Sequence, residues 1–111
     1  MLVLRLTRHP ATPEQVAALQ RIYGSDVEIR EHSETVPNAA RVKELVAEYG
    51  ADVLEAVLPL QMVAEVLREV PDVPLIRAIT NRVFDETGQK AAFVFSHYER
   101  VTKVEVVTER L

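Results

Sequence analysis

Apolar residues follow two alternating patterns along the first part of the chain: short continuous runs, and longer stretches with helical spacing. The runs at residues 2 to 7 and 51 to 58 have the length and composition of buried strands. Residues 26 to 31 instead alternate between polar and apolar positions, which is typical of a strand nearer the edge of a sheet. The pattern therefore predicts three strands, separated by segments long enough for helices.

The segments after these strands carry the signals of helix ends. Thr12 and Gln15 form a capping-box pattern, Pro13 suits the first helical position, and Gly24 ends the same helix. Apolar residues at helical spacing follow in two further segments. The predicted limits of these are Asn38 and Gly50 for the second helix, and Pro59 and Pro71 for the third.

Three strand–helix units with short connections predict parallel strand pairing through right-handed crossovers. We therefore expect an α/β fold of the small Rossmann-like class, a three-layer sandwich with helices on both faces of a parallel sheet. The chain of 111 residues is long enough for one core and too short for two, so residues 1–111 are expected to form a single domain.

The remainder of the chain has a different pattern. Residues 75 to 84 favour a strand, residues 85 to 89 a tight loop, and residues 91 to 98 a returning strand, so the sheet is expected to gain an antiparallel C-terminal hairpin. A further strand is expected over residues 104 to 108. A helix over residues 75 to 86 is the alternative.

Composition narrows the function classes. Seventeen acidic against thirteen basic residues give a net charge of −4, which argues against coating of bulk DNA. The absence of cysteine excludes disulfides and thiolate metal sites. The apolar stretches fall short of the roughly 20 residues that a membrane span needs, and the first residues lack a signal-peptide pattern. We therefore expect a cytoplasmic domain without a membrane partner.

Candidate ligand-binding residues come from the loops that follow the three strands. In an open parallel sheet these loops lie at one end, where helix N-termini present unpaired N–H groups. Arg82, in the C-terminal part, is either on a polar strand face or on a second wall of the same site. The candidates in the loops are Arg8, His9 and Thr12 in the first, Ser33 and Asn38 in the second, and Leu60 and Gln61 in the third.

Of the three loops, the first gives the strongest indication of a ligand-binding site. A guanidinium at Arg8, an imidazole at His9 and a helix start at Thr12 would together favour an anion, and phosphate is the natural choice. The alternative is structural: Arg8 is a solvated loop residue, His9 packs at the strand end, and Thr12 only caps the helix.

The sequence lacks the residues that several other functions require. The first strand–helix loop contains no glycine, whereas dinucleotide and P-loop sites need glycines for close backbone approach to phosphates, so no nucleotide cofactor is expected. His9, His32 and His97 have no further ligand three or four residues away, so no metal site is expected. No serine lies in a Gly-x-Ser-x-Gly elbow.

Two short motifs resemble a known family. The segment Arg8 to Ala11 followed by Thr12-x-x-Gln15 resembles the opening of small Rossmann-like CRISPR-associated proteins, and Leu58-Pro59-Leu60 with Ala64-Glu65-Val66 is similar to their third strand–helix junction. Residues 72 to 111 do not match. Those proteins bind cyclic oligoadenylate, generally as dimers, and some cleave the ring without metal by in-line attack of 2′-hydroxyls. The resemblance thus implies a ring-nuclease-like role in antiviral defence.

The leading hypothesis from the sequence is a homodimer that binds a phosphate-bearing nucleotide at the carboxyl ends of the strands. Cyclic oligoadenylate is the ligand that the resemblance implies. If the chain is an enzyme, we expect metal-independent phosphodiester cleavage, with Arg8 holding phosphate and His9 as the acid or base. The alternative is a dimeric interaction protein without a small-molecule site.

Overall fold

The computed structural model describes residues 1 to 105 and 107 to 111 and contains one five-stranded sheet with three helices in those residues. In chain order the elements are β1 (Leu2–Leu6), α1 (Pro13–Tyr23), β2 (Glu28–His32), α2 (Ala39–Tyr49), β3 (Val53–Ala56), α3 (Leu60–Glu69), β4 (Leu75–Phe84) and β5 (Ala91–Val101).

The strand order across the sheet is β2-β1-β3-β4-β5. The first four strands are parallel, and β5 pairs antiparallel with β4. From the central pair β1 and β3, the chain therefore runs outward to β2 on one side and to β4 on the other. This arrangement confirms the predicted α/β fold with its antiparallel C-terminal hairpin, and it makes the gap between β1 and β3 a topological switch point.

Alternation along the central strands divides the core into two layers. Leu4, Leu54 and Leu75 lie on one face and pack against α2 and α3, which we call the α2–α3 face. Val3 and Val53 lie on the opposite face with Leu19 of α1, which we call the α1 face. Helices thus cover both faces, as in the predicted three-layer sandwich.

The helix ends follow local sequence chemistry. The Thr12 side chain accepts from the Gln15 N–H while the Gln15 side chain accepts from the Thr12 N–H, which completes the predicted capping box. Asn38 caps α2, and Gly50 ends it in the left-handed conformation that favours glycine. Among the described residues, no side chain caps α3, which begins after Pro59.

The C-terminal hairpin extends well beyond the rest of the sheet. β4 pairs with β3 only at Leu75 and Ile76, whereas its pairing with β5 continues to Phe84. The radius of gyration is 15.9 Å, against about 13 Å for a compact domain of this size. The distal hairpin is therefore an arm that projects from the core, and the alternative of a helix over residues 75 to 86 is wrong.

A bulge in the hairpin changes which side chains share a face. Ile79 pairs with His97 and Thr80 pairs with Phe95, so one extra residue, Ser96, stands on β5. The bulge brings Phe95 to the α1 face beside Tyr98, with ring centroids 5.1 Å apart.

A last strand was predicted over residues 104 to 108. The prediction is wrong for residues 104, 105, 107 and 108, which form no strand, and Val106 lies outside the described residues. β5 continues to Val101, opposite Leu75, and so already occupies this edge of β4. Val104 packs against the core on the α2–α3 face instead.

None of the helices in the described residues is both long and apolar enough to cross a membrane.

Candidate functional site

A cleft opens at the carboxyl ends of β1 and β3, on the α1 face of the sheet. Its volume is about 520 Å³. We call it the switch-point cleft because it lies where the chain leaves the two central strands in opposite directions. Its lining residues are Arg5, Leu6, Thr7, His9, Pro10, Thr12, Gln15, Glu55, Ala56, Val57, Ala78 and Thr80.

The floor of this cleft is a buried guanidinium. Arg5 is only 4% exposed, and the parallel registers place it beside Glu31 on β2 and Glu55 on β3. Its Nε donates to Glu55 Oε1 at 2.9 Å, and Nη2 donates to Glu55 Oε2 at 3.3 Å. The remaining hydrogen bonds run from Nη1 to Glu31 Oε1 and the His9 carbonyl, and from Nη2 to Gln15 Oε1, each at 3.1 Å.

Arg5 therefore uses all five of its N–H donors within the protein. Burial lowers the pKa of Arg5, but the hydrogen bonds and charges of Glu55, Tyr98 and Glu31 together outweigh burial, and the pKa is raised overall. The guanidinium is charged, saturated and fixed in place. It shapes the cleft and has no donor left for a phosphate.

Tyr98 brings the hairpin into the same set of contacts. Its hydroxyl donates to Glu55 Oε1 at 2.9 Å, so one carboxylate joins β1, β3 and β5. Burial, followed by the charge of Glu55, raises the pKa of Tyr98 and keeps its proton in place. We call this set the Arg5 network; it consists of Arg5, Gln15, Glu31, Glu55 and Tyr98.

The Arg5 network also fixes the loop between β1 and α1. Arg5 holds the His9 carbonyl, and Glu31 accepts from the Ala11 N–H at 2.9 Å. Thr7 adds a third contact, because its hydroxyl accepts from the His9 N–H at 3.2 Å. The loop is thus held at three backbone groups while the His9 side chain remains exposed at the rim of the cleft.

The N-terminus of α1 has little free hydrogen-bonding capacity. The Thr12 N–H donates to Gln15 Oε1 at 3.1 Å, the Gln15 N–H donates to Thr12 Oγ1 at 3.2 Å, and Pro13 has no N–H. The capping box therefore uses backbone N–H groups that were predicted to be available to an anion.

A second cleft lies on the α2–α3 face at the end of β3, and we call it the α3 cleft. Its volume is about 400 Å³, and it shares Ala56 and Val57 with the switch-point cleft. Leu60, which is 68% exposed, lies on its edge at the uncapped start of α3. Arg77 also lines this cleft and is 3.4 Å from Glu99 in an exposed ion pair.

The structure separates the candidate residues from the sequence into groups. His9 and Thr12 line the switch-point cleft, and Leu60 lines the α3 cleft. The other candidates lie outside the lining of both clefts: Arg8 is exposed beside His9, Gln61 is exposed in the first turn of α3, Ser33 is exposed after β2, Asn38 accepts from the Arg41 N–H at the start of α2, and Arg82 lies over the Phe84 ring in the hairpin arm.

An ion-pair cluster occupies the region of Ser33 and Asn38. Glu34 accepts from Arg41 at 2.8 and 2.9 Å and lies 3.1 Å from His32 Nε2. The hydrogen bonds from Arg41, and then from His32, lower the pKa of Glu34 to about 2. This cluster fastens the loop after β2 to α2.

Sequence reasoning missed the Arg5 network. The available signal was a charge inside each of two buried strands: Arg5 interrupts Leu2–Leu6, and Glu55 interrupts Val53–Ala56. A charged residue in a buried strand requires a partner, and these two have opposite charges.

A comparison of the chain with known protein families, with curated proteins and with solved structures finds no match. Within the described residues, no group of three or more His, Asp or Glu side chains is arranged to hold a metal ion.

Proposed function

We propose that this protein binds a phosphate-bearing nucleotide in the switch-point cleft. The observation that supports this proposal is the location of the cleft at the carboxyl ends of β1 and β3, where open α/β sheets bind their ligands. Its volume of about 520 Å³ lies within the range of about 300 to 1,000 Å³ that is usual for small-molecule sites.

The cleft combines groups that suit different parts of a nucleotide. Thr7 and Thr80 offer hydroxyl groups on opposite walls, and Ala56, Val57 and Ala78 offer apolar surface for a base. His9 lines the cleft and Arg8 is its exposed neighbour in the chain, so a phosphate bound at His9 would need only a change of the Arg8 side-chain rotamer to meet a guanidinium, and it would not displace the saturated Arg5.

Cyclic oligoadenylate is the ligand class that we propose first, because of the resemblance of the Arg8–Ala11 and Leu58–Leu60 motifs to cytoplasmic CRISPR-associated ring nucleases. In ring cleavage, a 2′-hydroxyl loses its proton and its oxygen attacks the adjacent phosphorus. The bond between that phosphorus and the 5′-oxygen breaks, and the 5′-oxygen gains a proton as it leaves. We assign these proton transfers to His9, whose imidazole lines the cleft and can act as a general acid or base. No added metal is expected to be needed.

The proposal is tested by thermal shift and calorimetry with cyclic oligoadenylates and linear nucleotides. A ligand at 100 times its dissociation constant stabilises the fold by about 2.7 kcal/mol, which is readily measured. His9→Ala is expected to slow any cleavage by roughly 100- to 10,000-fold, and to leave the fold intact because the side chain is exposed.

The matched control is His97→Ala, since His97 is also exposed and lies on β5 outside both clefts. It should behave like the wild type. If no nucleotide shifts the melting temperature, the proposed function is wrong. If cleavage occurs at an equal rate in both variants, the role of His9 is wrong. If cleavage requires Mg²⁺ or Mn²⁺, the metal-independent route is wrong.

A second candidate function is favoured by the hairpin arm. Phe84 and Phe93 are 53% and 73% exposed on the same face of this arm, and clustered exposed apolar side chains are typical of interaction sites. We propose that the chain also acts as a homodimer through this arm, whether or not a nucleotide is bound.

A further inference from the structure

In the part of the chain that the structure describes, β5 is the last strand of the sheet, and no strand pairs with its outer edge from Ala91 to Val101. The first six residues of this strand, Ala91 to Ser96, carry no charged residue and no proline. Phe93 and Val94 within that stretch are 73% and 49% exposed. The arm therefore presents an apolar edge with unpaired backbone N–H and C=O groups, which is a template for another strand.

The other open edges of the sheet are charged. β2 has the sequence Glu-Ile-Arg-Glu-His, so it carries three charged residues in five positions. The part of β4 beyond Ile76 has no neighbouring strand on the β3 side among the described residues, and it carries Arg77 and Arg82. Charged residues on edge strands are a common protection against pairing with other chains. The first half of β5 lacks this protection.

We propose that β5 pairs antiparallel with β5 of a second copy of this chain, about a twofold axis that passes within Ala91–Ser96. The two five-stranded sheets would then form one ten-stranded sheet. This inference rests on the proposed homodimer and specifies the strand that forms it.

A second copy is the occupant that the charge pattern fits. In a twofold antiparallel pair, each residue near the axis lies close to its own symmetry mate, so any charge there would face a like charge. Ala91 to Ser96 brings no such repulsion, whereas Arg82 on β4 would.

The proposed assembly also stops at two chains. Once the two β5 edges are paired, the outermost strands of the joined sheet are the two charged β2 strands. A twofold contact uses the same patch on both copies and leaves no complementary patch for a third. Phe93 and Phe95, which share the α1 face, would be covered by the same residues of the second copy.

The test compares two lysine substitutions by sedimentation velocity over a range of protein concentrations. Val94→Lys places a charge at the proposed interface. Val83→Lys is the matched control, because Val83 has the same 49% exposure, lies on the same face of the hairpin and belongs to β4. The wild type and Val83→Lys are expected to be dimers at tens of micromolar. Val94→Lys is expected to weaken the dimer by roughly tenfold or more.

Amide hydrogen exchange provides a second measurement that does not depend on the variants. Amides of Ala91–Ser96 that point outward should exchange more slowly as the wild-type concentration rises. Circular dichroism shows whether each variant is folded; if Val94→Lys is not, Val94→Thr with this exchange measurement replaces it.

A monomeric wild type would overturn both the homodimer and this interface. A dimer that Val94→Lys leaves intact, or that both lysine variants weaken equally, would retain the homodimer but overturn pairing through β5. Nucleotide binding is measured separately on the same samples, and its absence would bear on the ligand proposal alone.

Discussion

At the scale of single residues, the most consequential group is the Arg5 guanidinium. It lies within the sheet beside two carboxylates, and it holds together strands, a helix and a loop that are far apart in the sequence. When one hydrogen-bonding partner of a buried charge is removed, the charge is left uncompensated and the fold is destabilised. The Arg5 network therefore determines the shape of the switch-point cleft, and its loss would lower the stability of the whole domain.

Glu55→Gln tests this dependence. The amide removes the negative charge and turns N–H groups toward the Arg5 guanidinium, so we expect the free energy of unfolding to fall by about 3 to 5 kcal/mol. Urea denaturation measures the change. Glu28→Gln is the control, because Glu28 forms an ion pair with Arg30 in which both side chains are more than half exposed. Its loss should cost about 1 kcal/mol or less. Equal effects of the two substitutions would contradict a structural role for the Arg5 network.

Glu34 gives a prediction for pH dependence. Its folded-state pKa of about 2 is below its ordinary value of 4.5, chiefly because of hydrogen bonds from Arg41 and then from His32. A carboxyl with a depressed pKa stabilises the fold fully above 4.5, and that contribution is lost as the pH falls toward 2. Glu34→Gln should therefore melt below the wild type at pH 7 and close to it at pH 2. A difference in melting temperature that persists unchanged at pH 2 would mean that packing, and not charge, is responsible.

At the scale of elements, the hairpin β4–β5 behaves differently from the three strand–helix units. Its proximal end is part of the core through Leu75 and Ile76, whereas its distal residues are exposed on both strands. The turn that joins the strands is held by local contacts. Asp85 Oδ1 accepts from the Thr87 hydroxyl at 2.7 Å and from backbone N–H groups that follow it. Contacts between neighbouring residues thus stabilise the tip of the arm, whereas contacts between distant segments stabilise the sheet to which the arm is attached.

Gly88→Ala tests the independence of this turn. Gly88 has a φ of 71°, and an added Cβ would meet no atom within 4 Å, so the cost comes from backbone strain alone. We expect a local penalty of roughly 1 to 2 kcal/mol, seen as faster amide exchange near the tip with little change in core amides. Gly88→Asn is the matched variant and should cost less, because asparagine tolerates this conformation. Equal losses of protection in the core would show that the arm and the core unfold together.

At the scale of the whole molecule, the two proposed sites lie in different parts of the fold. The switch-point cleft lies at the carboxyl ends of β1 and β3, whereas the proposed dimer edge lies on the distal half of β5. Tyr98 is the residue that links them, since it belongs to β5 and donates to Glu55 in the floor of the cleft. A second copy bound to β5 would therefore adjoin the strand that helps to fix the cleft.

The sequence by itself determined the elements that depend on neighbouring residues. The helix starts at Thr12 and Asn38 and the helix end at Gly50 were predictable because a cap is satisfied within a few residues. The hairpin over 75 to 98 was predictable from its strand pattern and its glycine-containing loop. The position of His9 at the end of a central strand also followed from the strand–helix order, which is why this candidate lies at the rim of the cleft.

Only the tertiary structure decided which distant groups meet. Arg5 and Glu55 are neighbours because parallel pairing sets β1 and β3 in register. Arg82 lies outside the cleft lining because β4 continues past the end of β3. Val104 leaves the sheet because β5 already fills the edge beside it. Caps and turns are fixed by energies within a few residues, whereas register, strand length and the burial of a charge are fixed by contacts between segments that the chain order does not place together.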